Sequence, residues 1–322
     1  MTYSGSSRNT EIDGIFSASR PRLLRLGYRM LGSIADAEDV VQDAFLRWIK
    51  ADGEVVRNPA GLLHTIVVRL CINRLQFLKR ARCEYVGPWL PEPLVEAEYP
   101  ELAGDITLPM MVVMERLSPL ERSAFLLHDI FEMTFADVAK AIGRDVATCR
   151  KLASRARRRL RDQRPRFEAP EEHGLKMAEA FFLASRDGNL ATLGALLAED
   201  VIALSDGGGR VEASVQPLKG AAIVLCRYRE LAKVFRKQPS RILRFEKIDG
   251  LPGFISVEAG GILQTTSLQL RDKKIAAIYV TRNPDKLSNL WRLCSLQTHL
   301  HAREIRDGGN QPRNEGSSDN GG

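Results

Sequence analysis

Apolar residues recur at helical spacing through the first half of the chain and at strand spacing through much of the second. In "SIADAEDVVQDAFLRWIK" (33–50), Ala37, Val40, Val41, Ala44 and Trp48 share one side of a helix, while Asp36, Asp39, Gln42 and Asp43 take the other. "PAGLLHTIVVRLCINRLQFLKRAR" (59–82) predicts a second helix after Asn58, with Arg69, Asn73, Arg74, Gln76, Lys79, Arg80 and Arg82 among its polar positions. From about 108 to 166 the period is helical again, and within it "TFADVAKAIGRDVAT" has helix-turn-helix spacing. Ala139, four residues before Gly143, permits close approach and the glycine permits the turn, while Val138, Ile142, Val146, Cys149 and Leu152 hold the pair together. In the second of these helices Val146, Cys149, Leu152, Ala156 and Leu160 form a narrow apolar stripe, and Thr148, Arg150, Lys151, Ser154, Arg155 and Arg158 lie off it. Ser33 with Asp36, Ser118 with Glu121, and Thr134 with Asp137 each place a hydroxyl at an N-cap and a carboxylate three residues on. Pro119 suits a first helical position and Asp145 a cap. Beyond Pro170 the pattern changes class. Helices over 171–187, 190–198 and 219–237 alternate with β-like runs "DVIALSDGGG", "RILRFEKI", "GFISVEA" and "TTSLQLRDKKIAAIYV", predicting an α+β domain with a mostly antiparallel sheet.

Charge divides the chain more sharply than periodicity. Residues 1–82 are basic; between Arg82 and Arg116 there is no Lys or Arg, but Glu84, Glu92, Glu96, Glu98, Glu101, Asp105 and Glu115 occur with Pro88, Pro91, Pro93 and Pro100. Prolines at that density exclude a continuous helix, so 84–107 is expected to be an acidic, extended linker. A length of 322 residues implies two or three domains, and the net charge of +7 points weakly toward a polyanion. The stretch 149–161, "CRKLASRARRRLR", sharpens it, with seven Arg and Lys in thirteen positions directly after the helix-turn-helix turn. Arginine-rich helices are often only solvated faces. Here the motif spacing, the acid-poor run and a second basic lobe indicate DNA, with residues near the helix N-terminus at base edges and later ones at phosphates. The acidic face of 33–50 indicates instead a protein partner with basic helices, and Asn and Arg on 59–82 suit an unstacked base and the strand beside it.

Five scattered cysteines, with no C-x-x-C pair, fit a reduced cytosolic protein, and neither an export signal nor a membrane span is expected. Residues 303–322, rich in Gly, Ser and Asn, are expected to be a disordered tail. Neither a cofactor nor a metal is indicated. In the C-terminal domain Asp206, Glu258 and Tyr279 are the only acid/base candidates, without a spacing that makes them a dyad, so no catalytic residue is assigned.

An acidic-faced helix "DAEDVVQDAFLRW", a basic helix, a linker and a helix-turn-helix ending in "RARRRL" resemble the sigma-70 superfamily over residues 12–164. The two-lobe form, with domains 2 and 4 and no domain 3, looks like an extracytoplasmic-function sigma factor. "YVGPWLPEP" (85–93), "DGGGR" (206–210) and "NPDKL" (283–287) narrow the resemblance to the SigJ-like group, which carries a fused SnoaL-like domain of the NTF2 fold. The resemblance implies two all-α domains, 12–83 (domain 2, a helical bundle) and 108–166 (domain 4), followed by an α+β cone over 171–300. It implies a factor that binds core RNA polymerase and directs promoter-specific initiation, without enzymatic activity, in the cytoplasm. By position, Asp36, Asp39, Gln42 and Asp43 would meet the polymerase core, and Arg69, Asn73, Arg74 and Lys79 the melted minus-10 element. Thr148, Arg150, Lys151, Ser154 and Arg155 would meet the minus-35 duplex. The group usually has Asp at Asn73, often Arg at Gln76, and Lys at Arg210, departures that bear on promoter sequence. In such factors the interdomain linker passes through polymerase channels, which suits its negative charge.

The preferred expectation for the linker is that Trp89 and Pro91 lie against the C-terminal domain near Asn283, Pro284, Asp285, Lys286 and Leu287, and hold the two lobes at a fixed spacing; the alternative is local packing on the helical lobes. The fused domain is expected to modulate activity, in a direction left open, with a small molecule as its candidate ligand. Two other readings stand beside this one: a SnoaL-like enzyme of the isomerase or cyclase class with a DNA-binding extension, and a ligand-sensing helix-turn-helix regulator.

Overall fold

The structure, a computed structural model, describes residues 4–50, 58–81, 84–104, 106–161 and 171–290. Arg82, the expected tail and the end of the C-terminal domain from 291 lie outside the described residues, as does the side chain of Lys79.

Three helices make the first lobe: α1 (Ser4–Leu31), α2 (Ile34–Lys50) and α3 (Pro59–Ala81). The Asp36 amide donates to Ser33 Oγ at 3.2 Å, so the expected cap starts α2. Its apolar stripe buries Ile34, Ala37, Val40, Val41 and Ala44. A Cβ on Gly27 would lie 3.0 Å from the Ala37 Cβ, so glycine there lets α1 and α2 cross closely.

The second lobe holds α4 (Leu108–Met114), α5 (Pro119–Phe125), a π-helical turn (Leu126–Ile130), α6 (Phe135–Ile142) and α7 (Val146–Leu160). Ser118 and Glu121 form a reciprocal capping box, Thr134 accepts from the Asp137 amide, and Asp145 accepts from the Thr148 amide at 2.8 Å. Gly143, at φ 66°, ends α6 in the left-handed conformation that the turn requires. The buried seam of α7 is Cys149, Ala153, Ala156 and Leu160; Val146 and Leu152 are half-buried, so the seam is rotated from the expected stripe toward Ala153, whose small side chain lets α7 sit close to its neighbours.

The two lobes share one apolar core, which runs from Leu26, Val40 and Val67 through Met111 and Phe125 to Val138 and Cys149. Two buried arginines cross it. Arg122, 2% exposed, donates to the Arg29 carbonyl at 3.1 and 3.0 Å and to Glu115 at 2.5 Å, while the Arg29 guanidinium donates to Leu102 O at 3.1 Å. Arg122 thereby has a counter-charge and Arg29 a hydrogen-bond acceptor within the buried interior, where an unpartnered polar group would be costly.

The C-terminal domain is α+β as expected: α8 (Glu171–Asp187), α9 (Leu190–Leu196), β1 (Leu197–Asp206), β2 (Leu218–Lys219), α10 (Ala221–Lys237), β3 (Arg241–Ile248), β4 (Leu251–Glu258), β5 (Ile262–Arg271) and β6 (Lys274–Thr281). The sheet has six strands in the order β2-β1-β6-β5-β4-β3. Most pairs are antiparallel, but β1 and β6 run parallel, joined through the intervening hairpins. The run "TTSLQLRDKKIAAIYV" is two strands, folded at Asp272 and Lys273, both at positive φ. One face packs Phe254, Leu268 and Ile278 under Phe181 of α8 and Tyr228 of α10. The linker and the start of α4 cover the other: Leu90 and Leu108 rest on Leu251, Ala277 and Tyr279, and Val95 on Ile248, Ile255 and Leu263. Val95 also pairs antiparallel with Ile248, extending the sheet beyond β3.

Candidate nucleic-acid interface

On α7 the cations divide by what they touch. Arg157 Nε donates to Asp129 at 2.7 Å, and Arg159 Nη1 reaches Arg116 O and Glu121, each at 3.2 Å, so these two brace the helix against its own lobe. Arg150, Lys151, Ser154 and Arg155 are exposed together with Arg158, and the Arg150 guanidinium lies over the Phe135 ring at 5.7 Å. Thr148 is half-buried and donates its hydroxyl to Asp145 at 2.6 Å, which commits it to the cap.

On α3, Asn73 is exposed, whereas Arg69 donates from Nε to Ala141 O at 3.2 Å and from Nη2 to Lys140 O at 3.1 Å. Those carbonyls belong to the last turn of α6, where a cation meets both unsatisfied acceptors and the negative end of the helix dipole. Arg74 donates twice to Asp36 Oδ1, at 3.1 and 2.6 Å, so a residue expected at DNA pairs with one expected at polymerase. Asp39, Gln42 and Asp43 stand exposed on the outer face of α2.

The linker meets the C-terminal domain at a buried carboxylate. Asp206, 0% exposed, accepts from the Tyr85 hydroxyl at 2.5 Å, the Leu90 amide at 2.8 Å, the Gly208 amide at 3.1 Å and Lys286 Nζ at 2.6 Å. Gly208 and Gly209, at φ 62° and 71°, turn the chain back past it. Lys286 also donates to Leu90 O and stands over the rings of Trp89, at 4.0 Å, and Tyr85, at 5.0 Å. Asn283 Nδ2 donates to the Tyr85 hydroxyl at 2.9 Å, and burial together with Asp206 pushes that phenol above its ordinary range. Pro284 and Asp285 are exposed, with Asp285 paired to Arg210 at 2.9 Å. Trp89 faces both ways: a Cβ on Gly32, at the end of α1, would lie 2.6 Å from its ring and 3.6 Å from Pro91. The ring therefore bridges the first lobe and the C-terminal domain.

Two participants, Glu92 and Asp249, were given no role from the sequence. Glu92 caps α2 by accepting from the Ile34 amide at 2.7 Å and also accepts from Asn289 at 2.7 Å; burial raises its carboxyl. Asp249, at the β3–β4 turn, accepts from the Tyr28 hydroxyl at 2.6 Å and the Leu94 amide at 3.1 Å, and its carbonyl accepts from the Leu108 amide at 2.9 Å. One turn residue thus touches α1, the linker and the start of α4. Burial raises its carboxyl to about 6, against the lowering effect of Tyr28 and Arg29. "DG" between two β-like runs signals a hairpin turn, but nothing local signals that this turn is buried.

The acid/base candidates are committed elsewhere. Glu258 pairs with Arg186 and accepts from Ser256 at 2.6 Å and from Ser240, Tyr279 donates to Gln269 at 3.0 Å, and Asp206 serves the linker. No group of three or more His, Cys, Asp or Glu side chains suited to a metal occurs among the described residues, and no described helix is long and apolar enough to cross a membrane.

The Sigma-70 region 2 family model matches residues 15–81, and the Sigma-70, region 4 model matches residues 108–160. The ECF RNA polymerase sigma factor SigJ of Mycobacterium tuberculosis (strain ATCC 25618 / H37Rv) is 34% identical over 289 residues, covering 85% of this chain and 92% of its own. A probable ECF RNA polymerase sigma factor, SigI, of the same species is 28% identical, covering 88% and 97%. The crystal structure of the M. tuberculosis extracytoplasmic function sigma factor SigJ matches with a TM-score of 0.70 at 31% identity, over 85% of this chain and 97% of that one.

Proposed function

The chain belongs to the sigma-70 family, among its extracytoplasmic-function sigma factors, and from that premise we propose that it binds bacterial core RNA polymerase and directs promoter-specific transcription initiation, with its C-terminal domain modulating that activity. The carrying observation is similarity to a sigma factor over both helical lobes and the fused domain. Asp36, Asp39, Gln42 and Asp43 are the polymerase-binding face; Arg69, Asn73, Arg74 and Lys79 read the minus-10 strand. Arg150, Lys151, Ser154 and Arg155 read the minus-35 duplex, with Thr148 shaping the helix start. The linker node formed by Trp89, Pro91, Asn283 and Lys286, with Pro284 and Asp285 beside it, is the regulatory contact. The protein acts in the cytoplasm and performs no covalent chemistry, a reading supported by the separate commitments of Asp206, Glu258 and Tyr279.

Run-off transcription with reconstituted core polymerase on a promoter library tests this. Defined transcripts that depend on the added chain are expected; a chain that leaves core polymerase unbound and silent would overturn the reading. Promoter binding should also weaken by orders of magnitude over a modest rise in salt, since several phosphates are neutralised.

A further inference from the structure

Arg150 is exposed, and a long side chain in water ordinarily samples many rotamers. This one stands against a pair of stacked rings. Its guanidinium lies 5.7 Å from the centroid of Phe135, the half-buried first residue of α6, and the His128 ring stacks on Phe135 at 3.8 Å with the planes 25° apart. The imidazole is fixed in turn. Its Nδ1 lies 2.8 Å from Met133 O, and since a carbonyl only accepts, that nitrogen carries the hydrogen. His128 belongs to the π-helical turn, where the Phe131 amide reaches back to Leu126 O at 2.9 Å; Glu132, at φ 56°, then brings the Met133 carbonyl round to the imidazole. The next residue of the same turn, Asp129, holds Arg157 at 2.7 Å. Arg150 and Arg157 stand two turns apart on one face of α7, so a single turn of a neighbouring element steadies that face at two points.

The two supports differ in what they leave over. The Arg157 ion pair consumes its donor. Among the described residues nothing accepts a hydrogen bond from the Arg150 guanidinium, so its fork stays available to an outside partner. A ring contact thus fixes direction without spending a donor, and two parallel N–H groups match O6 and N7 on the major-groove edge of guanine.

We infer that Phe135 and His128 are positioning residues for base reading: the stacked pair holds Arg150 in the direction from which its guanidinium reads one guanine of the minus-35 duplex. The assignment rests on the sigma-factor reading above and adds to it two side chains, on other elements, that set specificity without touching DNA.

The test uses holoenzyme reconstituted from the full chain and core polymerase. It is bound to a promoter from the library experiment whose minus-35 base pairs are replaced one at a time. Arg150→Ala should remove discrimination at one position, a guanine. Arg150→Lys should do the same, because an ammonium keeps the ring contact but lacks the fork. Phe135→Leu should lower discrimination at that position about 10-fold and His128→Ala about 3-fold, while Phe135→Tyr matches the natural protein. For both, discrimination at the other positions and the salt slope should be unchanged, a pattern that general loss of folding does not produce. Combining Phe135→Leu with Arg150→Ala should add no further loss, since the ring acts only through the arginine. Full discrimination retained by Phe135→Leu and His128→Ala would overturn the inference. So would a double variant that falls below Arg150→Ala, or an Arg150→Ala protein that relaxes no position. If Phe135→Leu does not fold, His128→Ala decides alone, because it leaves the start of α6 intact: loss at the single position supports the inference and unchanged discrimination overturns it. Failure of the unsubstituted chain to bind polymerase or promoter strikes the sigma-factor reading instead, so the two failures are distinct.

Discussion

His64 and Asp249 are buried ionisable residues whose effects on stability run in opposite directions over overlapping pH ranges. Burial, with Arg22 nearby, lowers His64 to about 4; neither ring nitrogen has a hydrogen-bond partner, and the ring lies edge-on to Phe131 at 6.1 Å. The unfolded chain therefore binds the proton first, and the stability that neutral His64 contributes is lost as pH falls from about 6.5 toward 4. For Asp249 the folded state holds the proton more tightly, so its contribution is complete below the ordinary carboxylate range and is lost as pH rises through about 6. His64→Leu keeps the volume and removes two unsatisfied nitrogens. We expect it to match or exceed the natural protein in melting temperature at pH 7, with the advantage growing as pH is lowered to 5. Asp249→Asn should show the reverse trend: its melting temperature relative to the natural protein rises between pH 4 and 6 and is flat above. Neither effect was legible in the sequence, where His64 reads as one more residue on an amphipathic helix. Part of its burial comes from Phe131, 67 positions later.

Helices and caps were the legible elements. Ser118, Thr134 and Asp145 cap where the hydroxyl or carboxylate stands three residues before its target, because that chemistry is local. That Arg157 and Arg159 are paired back onto the lobe was not legible, since it depends on Asp129 and Glu121 of two neighbouring elements. The division predicts a contrast in salt dependence. Lys151→Ala should lower the slope of log affinity against log salt by about 0.9, the loss of one phosphate contact, while Arg157→Ala should leave it unchanged. For the strands, the short β2 was invisible at two residues, and the parallel β1–β6 pairing depends on a long-range closure that alternation does not encode. The linker node behaves as a unit. Lys286 is 12% and Asp206 0% exposed, so Lys286→Met leaves a buried carboxylate short of its counter-charge. It should cost about 3 kcal/mol in denaturant unfolding, and the exposed Asp285→Ala close to nothing.

At the scale of the molecule, the sequence distinguished the parts but not their embrace. The apolar residues of α3, α5 and α6 would be apolar whether the lobes shared a core or kept separate ones, so composition is silent on that choice. The β3–β4 turn does much to hold the arrangement. Gly250, at φ 76°, leaves no room for a side chain, because a Cβ would lie 2.9 Å from Thr107 Cγ2. Gly250→Val should therefore push α4 away, and fluorescence energy transfer between dyes on α2 and α7 should report a longer separation. Acidity and proline content made the linker readable as extended, yet its counter-charges lie far along the chain: Glu98 meets Arg244 at 2.9 Å and Glu96 meets Lys247 at 3.8 Å. The docking of Val95 against Ile248 has a consequence for solubility. While the linker lies in place, the Ile248 end of the outer rim of β3 is paired and cannot recruit another molecule's strand. Whenever the linker lifts, that end is bared, but Lys247 then loses Glu96 and Arg244 loses Glu98, keeping only Glu246 of its own strand, so the rim turns more positive toward any second copy. Self-association is thus opposed by backbone pairing in one state and by mutual repulsion in the other, and the second safeguard should fade in concentrated salt.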